Sequence, residues 1–190
     1  MAAIEPISAA ARAIEQRLRL YFPANLWGFE YVADPMTTVE FKRLLRVTPC
    51  LALSWRSLKA DANPKRAFSG DLGFRLTLIA KNPSEGASRF FGDKRGPGLY
   101  PALTTAIAAV NGFTIKDVGT VFANGADPTY AEGFDDLSAA IAIVDLTIGI
   151  SFDDLLNTAA EASDFLLLNV EWDVDPAENE PTDVVKPRSP

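Results

Sequence analysis

The sequence predicts an α+β domain in which an N-terminal helix and a central helix pack against a mainly antiparallel sheet. Two stretches repeat apolar residues at intervals of three and four, which is typical of one face of a helix. Several others alternate apolar and polar residues, as strands with one buried face do. The length of 190 residues suits one domain. We assign it residues 1–174, followed by an acidic, proline-rich C-terminal tail at residues 175–190.

The first part of the chain predicts a helix, a short strand and a second, shorter helix. The apolar stripe of the N-terminal helix consists of Ile7, Ala11, Ile14 and Leu18. Pro6 suits the first turn of this helix, which must end before Pro23. A strand is predicted at residues 27–32, and the short helix that follows is expected to be capped by Thr37 or Thr38.

Two longer strands then predict an antiparallel hairpin. The first alternates Leu51, Leu53 and Trp55 with Ala52, Ser54 and Arg56, so one buried face is expected. The second covers residues 72–81, with Leu72, Phe74, Leu76, Leu78 and Ala80 on one face. The connection at residues 59–69 is expected to be an exposed loop.

The middle of the chain predicts a long loop and a helix. The loop covers residues 82–97, and the helix that follows has its apolar stripe at Leu99, Leu103, Ala106, Ile107 and Val110. Asn111 and Gly112 are expected to end this helix.

The last part of the chain predicts three more strands. The first covers residues 113–123 and is followed by a turn at residues 124–128. The second covers residues 138–152 and is expected to be central, since Ile141 and Ile143 make its first half apolar on both faces. Short helical turns at residues 153–160 and a late strand at residues 166–174 complete the domain.

The residue types favour a structural or interaction protein over an enzyme. Histidine is absent, which removes the commonest general base and the commonest metal ligand. A hydrolase that uses carboxylates alone stays open. Cys50 lies in an apolar run, so a buried and inert thiol is expected. We predict no catalytic residue, no cofactor and no metal site.

No segment has the features of a signal peptide or a membrane span. Residues 4–20 carry five charged side chains and so lack a continuous apolar region. The apolar run at residues 137–150 is too short to cross a bilayer and contains Asp145. We therefore expect a protein that is soluble and cytoplasmic when made.

The charge of the chain is strongly uneven. Residues 1–116 hold 16 basic and 9 acidic side chains, whereas residues 117–185 hold 16 acidic and no basic ones. An acidic stretch of this kind is commonly just a solvated surface. The alternative is that the basic and acidic parts of neighbouring copies face each other, as head-to-tail contacts in a ring would require.

Three short motifs have the composition of a ligand site but not its spacing. Residues 92–98 resemble a phosphate loop, yet Lys94 is followed by Arg95 rather than by Ser or Thr. The alternation of calcium ligands is missing from the acidic cluster Asp127, Glu132, Asp135 and Asp136. Adjacent carboxylates such as Asp153-Asp154 point to opposite faces of a strand, so they do not suit acid–base catalysis.

The loop at residues 82–97 is the best candidate for an interaction site. Its basic and aromatic residues are Arg89, Phe90, Phe91, Lys94 and Arg95. Such residues bind nucleic acid through stacking and phosphate contacts, but the chain has a pI of about 4.6, whereas nucleic-acid-binding domains are usually basic. We therefore expect a protein interface. The alternative is that one phenylalanine packs into the core of its own domain.

The order of elements and several short strings resemble a known family. The strings are Leu45-Arg-Val-Thr-Pro-Cys-Leu-Ala-Leu, Phe74-Arg-Leu-Thr-Leu-Ile-Ala-Lys-Asn, Gly98-Leu-Tyr-Pro-Ala-Leu-Thr-Thr-Ala-Ile-Ala-Ala-Val-Asn-Gly and Asp117-Val-Gly-Thr-Val. With the N-terminal helix and the strand at residues 139–152, they resemble the minor tail proteins of Mu-like phages and prophages. More broadly, they resemble the tail terminators of long-tailed phages. The resemblance covers residues 1–172.

The resemblance implies a structural virion protein and a ring-forming subunit. Such proteins form a ring, hexameric in this family, at the head-proximal end of the tail. The ring stops polymerisation of the tail tube and, in contractile tails, contacts the last sheath ring. The implied partners are other copies of the chain, the tube and sheath proteins, and the neck or connector proteins. DNA only passes through the lumen, which an acidic lining would favour by repelling phosphates.

Two alternatives to a tail terminator stay open. One is another neck, connector or head-completion protein of the same particle. The other, of a different class, is a small enzyme without histidine or a stand-alone binding protein. Such a protein would show a concave pocket with convergent polar groups and perturbed carboxylates.

Overall fold

The predicted α+β class is confirmed by the computed structural model, which describes residues 5–62, 68–82, 84, 86–129 and 139–151. The helices are α1 (Pro6–Arg19), α2 (Thr38–Leu44), α3 (Ser88–Phe91) and α4 (Leu99–Val110). The strands are β1 (Gly28–Tyr31), β2 (Cys50–Ala60), β3 (Ser69–Lys81), β4 (Thr114–Ile115), β5 (Gly119–Thr129) and β6 (Ala139–Ser151). The predictions at residues 153–160, 166–174 and 175–190 lie outside the described residues.

The six strands form one sheet in the order β1-β2-β3-β6-β5-β4. The strands β1 and β2 are parallel, and every other neighbouring pair is antiparallel. The predicted hairpin is confirmed, since β2 pairs with β3 from Cys50 opposite Ile79 to Ala60 opposite Gly70. In the centre, β3 and β6 pair along their whole lengths, from Ser69 opposite Ser151 to Lys81 opposite Ala139.

The main core lies between one face of the sheet and the helices α1 and α4. The helix α1 buries Ala10, Ile14 and Leu18 against it. The helix α4 begins and ends where its periodicity predicts, but its buried residues are Leu99, Ala102, Ala106, Ala109 and Val110. Leu103 and Ile107, predicted on the buried stripe, are only partly buried. The Nε of Arg17 donates to the carbonyl oxygen of Ala109 at 2.9 Å and so joins the two helices.

A second, smaller core covers part of the opposite sheet face. The helix α2 is capped by Thr37, which exchanges hydrogen bonds with Glu40 in a capping box. Below this helix, Leu44, Cys50, Ala52 and Ile79 form a buried cluster. Burial raises the pKa of the Cys50 thiol to about 12, so the thiolate nucleophile does not form near neutral pH.

The prediction that β2 has one buried face is wrong. Its residues 50–54 are buried on both faces, because α2 covers the side that the alternation leaves polar. Trp55, predicted to be buried, is 51% exposed. Residues 59–69 are also not simply a loop, since β2 continues to Ala60 and β3 begins at Ser69.

The strand predicted at residues 113–123 is divided in two. Lys116–Val118 separate β4 from β5, and Asp117 there has a positive φ of 60°. The turn predicted at residues 124–128 is wrong, because β5 continues through it to Thr129 with a register shift between Ala123 and Gly125. Asn-Gly and Asp-Pro pairs usually mark turns, but an edge strand with a bulge accommodates both.

Replacing Phe74 by Ala is expected to lower the free energy of unfolding by about 3–5 kcal/mol, because a deeply buried ring leaves a cavity. Phe74 is 1% exposed, whereas its register partner Trp55 is half exposed. Trp55→Ala is the matched control and should cost about 1 kcal/mol or less. Urea unfolding followed by circular dichroism measures both. Equal losses would show that burial does not distinguish the two rings.

Candidate functional site

The predicted interaction loop begins where β3 ends, at Lys81, and leads into α4 at Leu99. It contains the short helix α3 and then a tight turn in which Asp93 and Gly96 form an isolated bridge. At this end of the sheet the loop lies beside Trp27 and Pro49, which precede β1 and β2. The loop is therefore a folded unit at one end of the domain.

Asn82 joins the two ends of this loop. Its side chain is fully buried, and its Nδ2 donates to the carbonyl oxygens of Ser88 at 3.3 Å and Gly96 at 3.1 Å, and to Asp93 Oδ1 at 3.1 Å. Its Oδ1 accepts a hydrogen bond from the Ser84 amide at 2.9 Å. One buried amide thus connects the start of the loop, the helix α3 and the turn, and removing it would leave the Ser84 amide without its acceptor.

Asp93 extends the same network to the turn. Its Oδ1 also accepts a hydrogen bond from the backbone amide of Arg95 at 2.8 Å. Hydrogen bonds from the Ser84 side chain, the Arg95 amide and Asn82 hold the pKa of the Asp93 carboxyl far below its usual range. The carboxylate is therefore ionised at any physiological pH, and its hydrogen bonds stabilise the turn.

Two glycines permit the closure of the loop. Gly92 has a φ of +79°, a conformation that other residues rarely adopt. A Cβ on Gly98 would overlap the backbone nitrogen of Gly92. Gly92 and Gly98 are thus required by the backbone conformation and close backbone approach of this turn, which explains two of the glycines that resemble a phosphate loop.

The structure divides the predicted interface residues into two groups. Phe90 is partly buried against the core, and the Arg89 guanidinium lies 4.9 Å from the centre of its ring. The Nε of Arg89 is buried without a hydrogen-bond partner in the described residues. By contrast, Phe91 is 66% exposed, and Lys94 and Arg95 are exposed too. Only the second group is available to a partner.

Three residues from outside the loop extend its exposed surface. Tyr100 of α4 stacks on Phe90 at 5.5 Å and meets the edge of Phe91 at 5.4 Å between ring centres. Tyr21 and Leu26 lie in the segment that connects α1 to β1. Both are exposed, as Tyr100 is. These three residues were not predicted from the sequence. What could have indicated them is that they are large apolar residues outside the predicted helical stripes. We call the loop surface the set Tyr21, Leu26, Phe91, Lys94, Arg95 and Tyr100.

Two grooves lie on either side of the turn at residues 93–97. The first has a volume of about 370 Å³ and is lined by Tyr21 and Phe91. The second has a volume of about 700 Å³ and is lined by Leu26, Lys94 and Arg95. Because both are also lined by Trp27 and Pro97, they are parts of one continuous surface.

A second candidate site lies on the sheet face beside α2. Asp145 of β6 accepts hydrogen bonds from Arg75 at 2.9 and 3.2 Å and from Arg56 at 2.6 Å. Asp34 lies 3.7 Å from both arginines. The hydrogen bonds with Arg75 lower the pKa of Asp145, and they raise the pKa of Arg75. A groove of about 390 Å³ lies beside this network.

The role of this ion network is structural. Its two arginines and two aspartates pair with one another, and a carboxyl with a lowered pKa is a poor general acid or base near neutral pH.

The acidic cluster that was predicted not to bind calcium is only partly described. Asp127 lies on β5, while Glu132, Asp135 and Asp136 are outside the described residues. Within the described part of the chain, no His, Cys, Asp or Glu side chains are grouped to hold a metal ion.

Comparisons with known proteins give no family for the chain. No protein-family model matches it, and a search of the curated proteins finds no match. Among the residues that the structure describes, no helix is long and apolar enough to cross a membrane.

Asn82→Ala is expected to lower the free energy of unfolding by about 1–3 kcal/mol, because the Ser84 amide loses its acceptor and the loop loses the hydrogen bonds from Asn82 that connect its segments. Amide hydrogen exchange should speed up most at residues 88–97. The exposed Asn25 provides a matched control, and Asn25→Ala should change neither quantity. Unchanged exchange in the loop of Asn82→Ala would contradict the role assigned to this side chain.

Asp145→Asn should destabilise the protein most at neutral pH. A carboxyl with a lowered native pKa stabilises the fold above its unfolded pKa of about 3.9, and this contribution is lost as pH falls through the native value. The difference in free energy of unfolding between wild type and variant should therefore shrink below about pH 4. Urea titrations from pH 3 to 7 measure it. A difference that does not change with pH would contradict the ion-pair assignment.

Proposed function

We propose that the chain is a tail terminator, a structural virion protein whose copies form a ring at the head-proximal end of a phage tail. The ring, of six copies in the family that the sequence resembles, stops growth of the tail tube and joins the tail to the neck. The observation that carries the proposal is the loop surface, an exposed aromatic and basic patch at one end of the sheet in an acidic chain. In virions, the protein would occupy the head-proximal end of the tail.

The two ends of the sheet differ in a way that supports ring formation. The loop surface lies at the Lys81 end of β3, whereas β6 leaves the opposite end at Ser151, which pairs with Ser69. The chain that follows, residues 152–190, holds ten acidic and two basic residues. Heterologous contacts close a ring when two different surfaces of one subunit complement each other. The basic loop surface and the acidic chain that continues from Ser151 would supply such a pair.

The composition of the loop surface fits a contact between proteins. Tyrosine, phenylalanine and arginine are enriched at the buried centres of interfaces, and all three occur here together. The turn beneath them is fixed by Asn82 and Asp93, so little ordering is required on binding. A neck or connector protein of the same particle would use the surface equally well. The place of attachment, on the tail tube or on the head, separates these two functions.

Phe91→Ala is expected to reduce ring assembly without loss of stability, because its ring is largely exposed. Native mass spectrometry of the purified protein, and electron microscopy of tubes assembled with it, measure ring size and tube capping. Phe122→Ala is the matched control, since Phe122 is 53% exposed on β5. Phe90→Ala, alone or combined with Phe91→Ala, should instead lower the melting temperature, since Phe90 packs against the core.

Two outcomes would overturn this proposal. One is a wild-type protein that stays monomeric at all concentrations and never joins tubes. The other is a Phe91→Ala variant that forms rings and caps tubes as well as the Phe122→Ala control does.

A further inference from the structure

The larger groove of the loop surface is lined by both cations and apolar residues. Of the apolar residues, Trp27 is buried and Pro49 and Pro97 are half-buried, and we call these three the floor of the groove; Leu26, which also lines it, is 63% exposed. Its cations are Lys81, Lys94 and Arg95. We call it the cation groove.

The cations of this groove have no acidic partner in the described part of the chain. None of the ion pairs found among the described residues includes Lys81, Lys94 or Arg95. Among the described residues that line the groove, the acidic one is Asp93, whose carboxylate already accepts hydrogen bonds from Asn82 and the Arg95 amide. Three exposed cations that share a groove with apolar residues are complementary to a segment that is both apolar and acidic.

We propose that the cation groove binds residues 165–175 of a second copy of this chain. Their sequence is Phe-Leu-Leu-Leu-Asn-Val-Glu-Trp-Asp-Val-Asp. From Leu168 onwards, apolar residues alternate with polar ones, and three of those are the carboxylates Glu171, Asp173 and Asp175. Bound in an extended form, the segment places its apolar side on the floor of the groove and its carboxylates within reach of the three cations.

The length of the sheet favours binding of a segment from a second copy over binding of the segment of the same chain. From Ser69 to Lys81, β3 has a length of roughly 40 Å at about 3.3 Å per residue, and β6 ends beside Ser69. Residues 152–164 span about 45 Å only when fully extended. Binding within one chain would therefore require this connection to run straight along the whole sheet. Between copies in a head-to-tail ring, the acidic end of one subunit lies next to the basic end of the other.

Charge reversal on the full-length protein tests the pairing. The groove variant carries Lys94→Glu and Arg95→Glu, and the segment variant carries Glu171→Lys and Asp173→Lys. Each should weaken self-association at least about tenfold in sedimentation equilibrium, and a chain with all four changes should regain much of it. Wild-type association should fall between 50 and 500 mM NaCl, since salt screens exposed charges.

Two controls separate charge pairing from general effects. Lys59→Glu with Lys116→Glu reverses two exposed cations outside the loop surface and should leave self-association unchanged. Thermal unfolding should confirm that each variant folds. If the groove and segment variants associate as wild type does, or if the chain with all four changes gains nothing, the proposal is overturned.

Disulfide trapping identifies which chain supplies the segment. One chain carries Lys94→Cys and another carries Asp173→Cys. The native Cys50 is buried and adds little background. Oxidation of the mixture should give a covalent heterodimer, whereas Lys59→Cys in place of Lys94→Cys should not. A chain with both cysteines that gives only an internal disulfide would overturn the assignment to a second copy.

This inference rests on the proposed function only for its ring geometry. Self-association is measured on the purified protein, whereas tail termination is measured as capping of tubes. Charge-dependent rings that never cap tubes would retain the inference and reject the proposed function. Rings that cap tubes and are unaffected by charge reversal would retain the proposed function and reject the inference.

Discussion

The pairing of β3 with β6 is the constraint on which the rest of the domain depends. The two strands pair without a register shift from Ser69 to Lys81, and they place two rows of side chains on opposite faces. One row forms the main core under α1 and α4, and the other forms the smaller core and the ion network. The pairing also separates the Lys81 end from the Ser151 end by the full length of the sheet, so the loop surface and the point where the chain leaves β6 lie far apart.

The elements that periodicity predicted well are those whose environment repeats regularly. For β6, flanked by strands on both sides, the predicted and observed extents nearly coincide, and α4 has its predicted bounds. The failures occur where a distant element changes the environment. Ala52 looks exposed in the alternation of β2 but is buried by α2, and Trp55 looks buried but is not. Neither effect is encoded within the strand itself, so local patterns cannot predict it.

The candidate site shows the same limit at the level of single side chains. Composition alone identified the loop, but Phe90 and Phe91 are identical neighbours, and only the short helix α3 determines which ring contacts the core. No sequence pattern indicated the role of Asn82, because its partners Ser88, Asp93 and Gly96 lie 6, 11 and 14 residues later. Its role exists only once the loop is folded.

The edge of the sheet at β5 has a consequence for how copies of the chain meet. Exposed strand edges are templates for further strands, and proteins protect them with bulges, prolines and charges. The outer part of β5 has all three protections, in the register shift after Ala123, in Pro128 and in the exposed Asp127. Such an edge resists continuation of the sheet from one molecule into the next. Open-ended, fibre-like stacking of copies through this edge is therefore disfavoured.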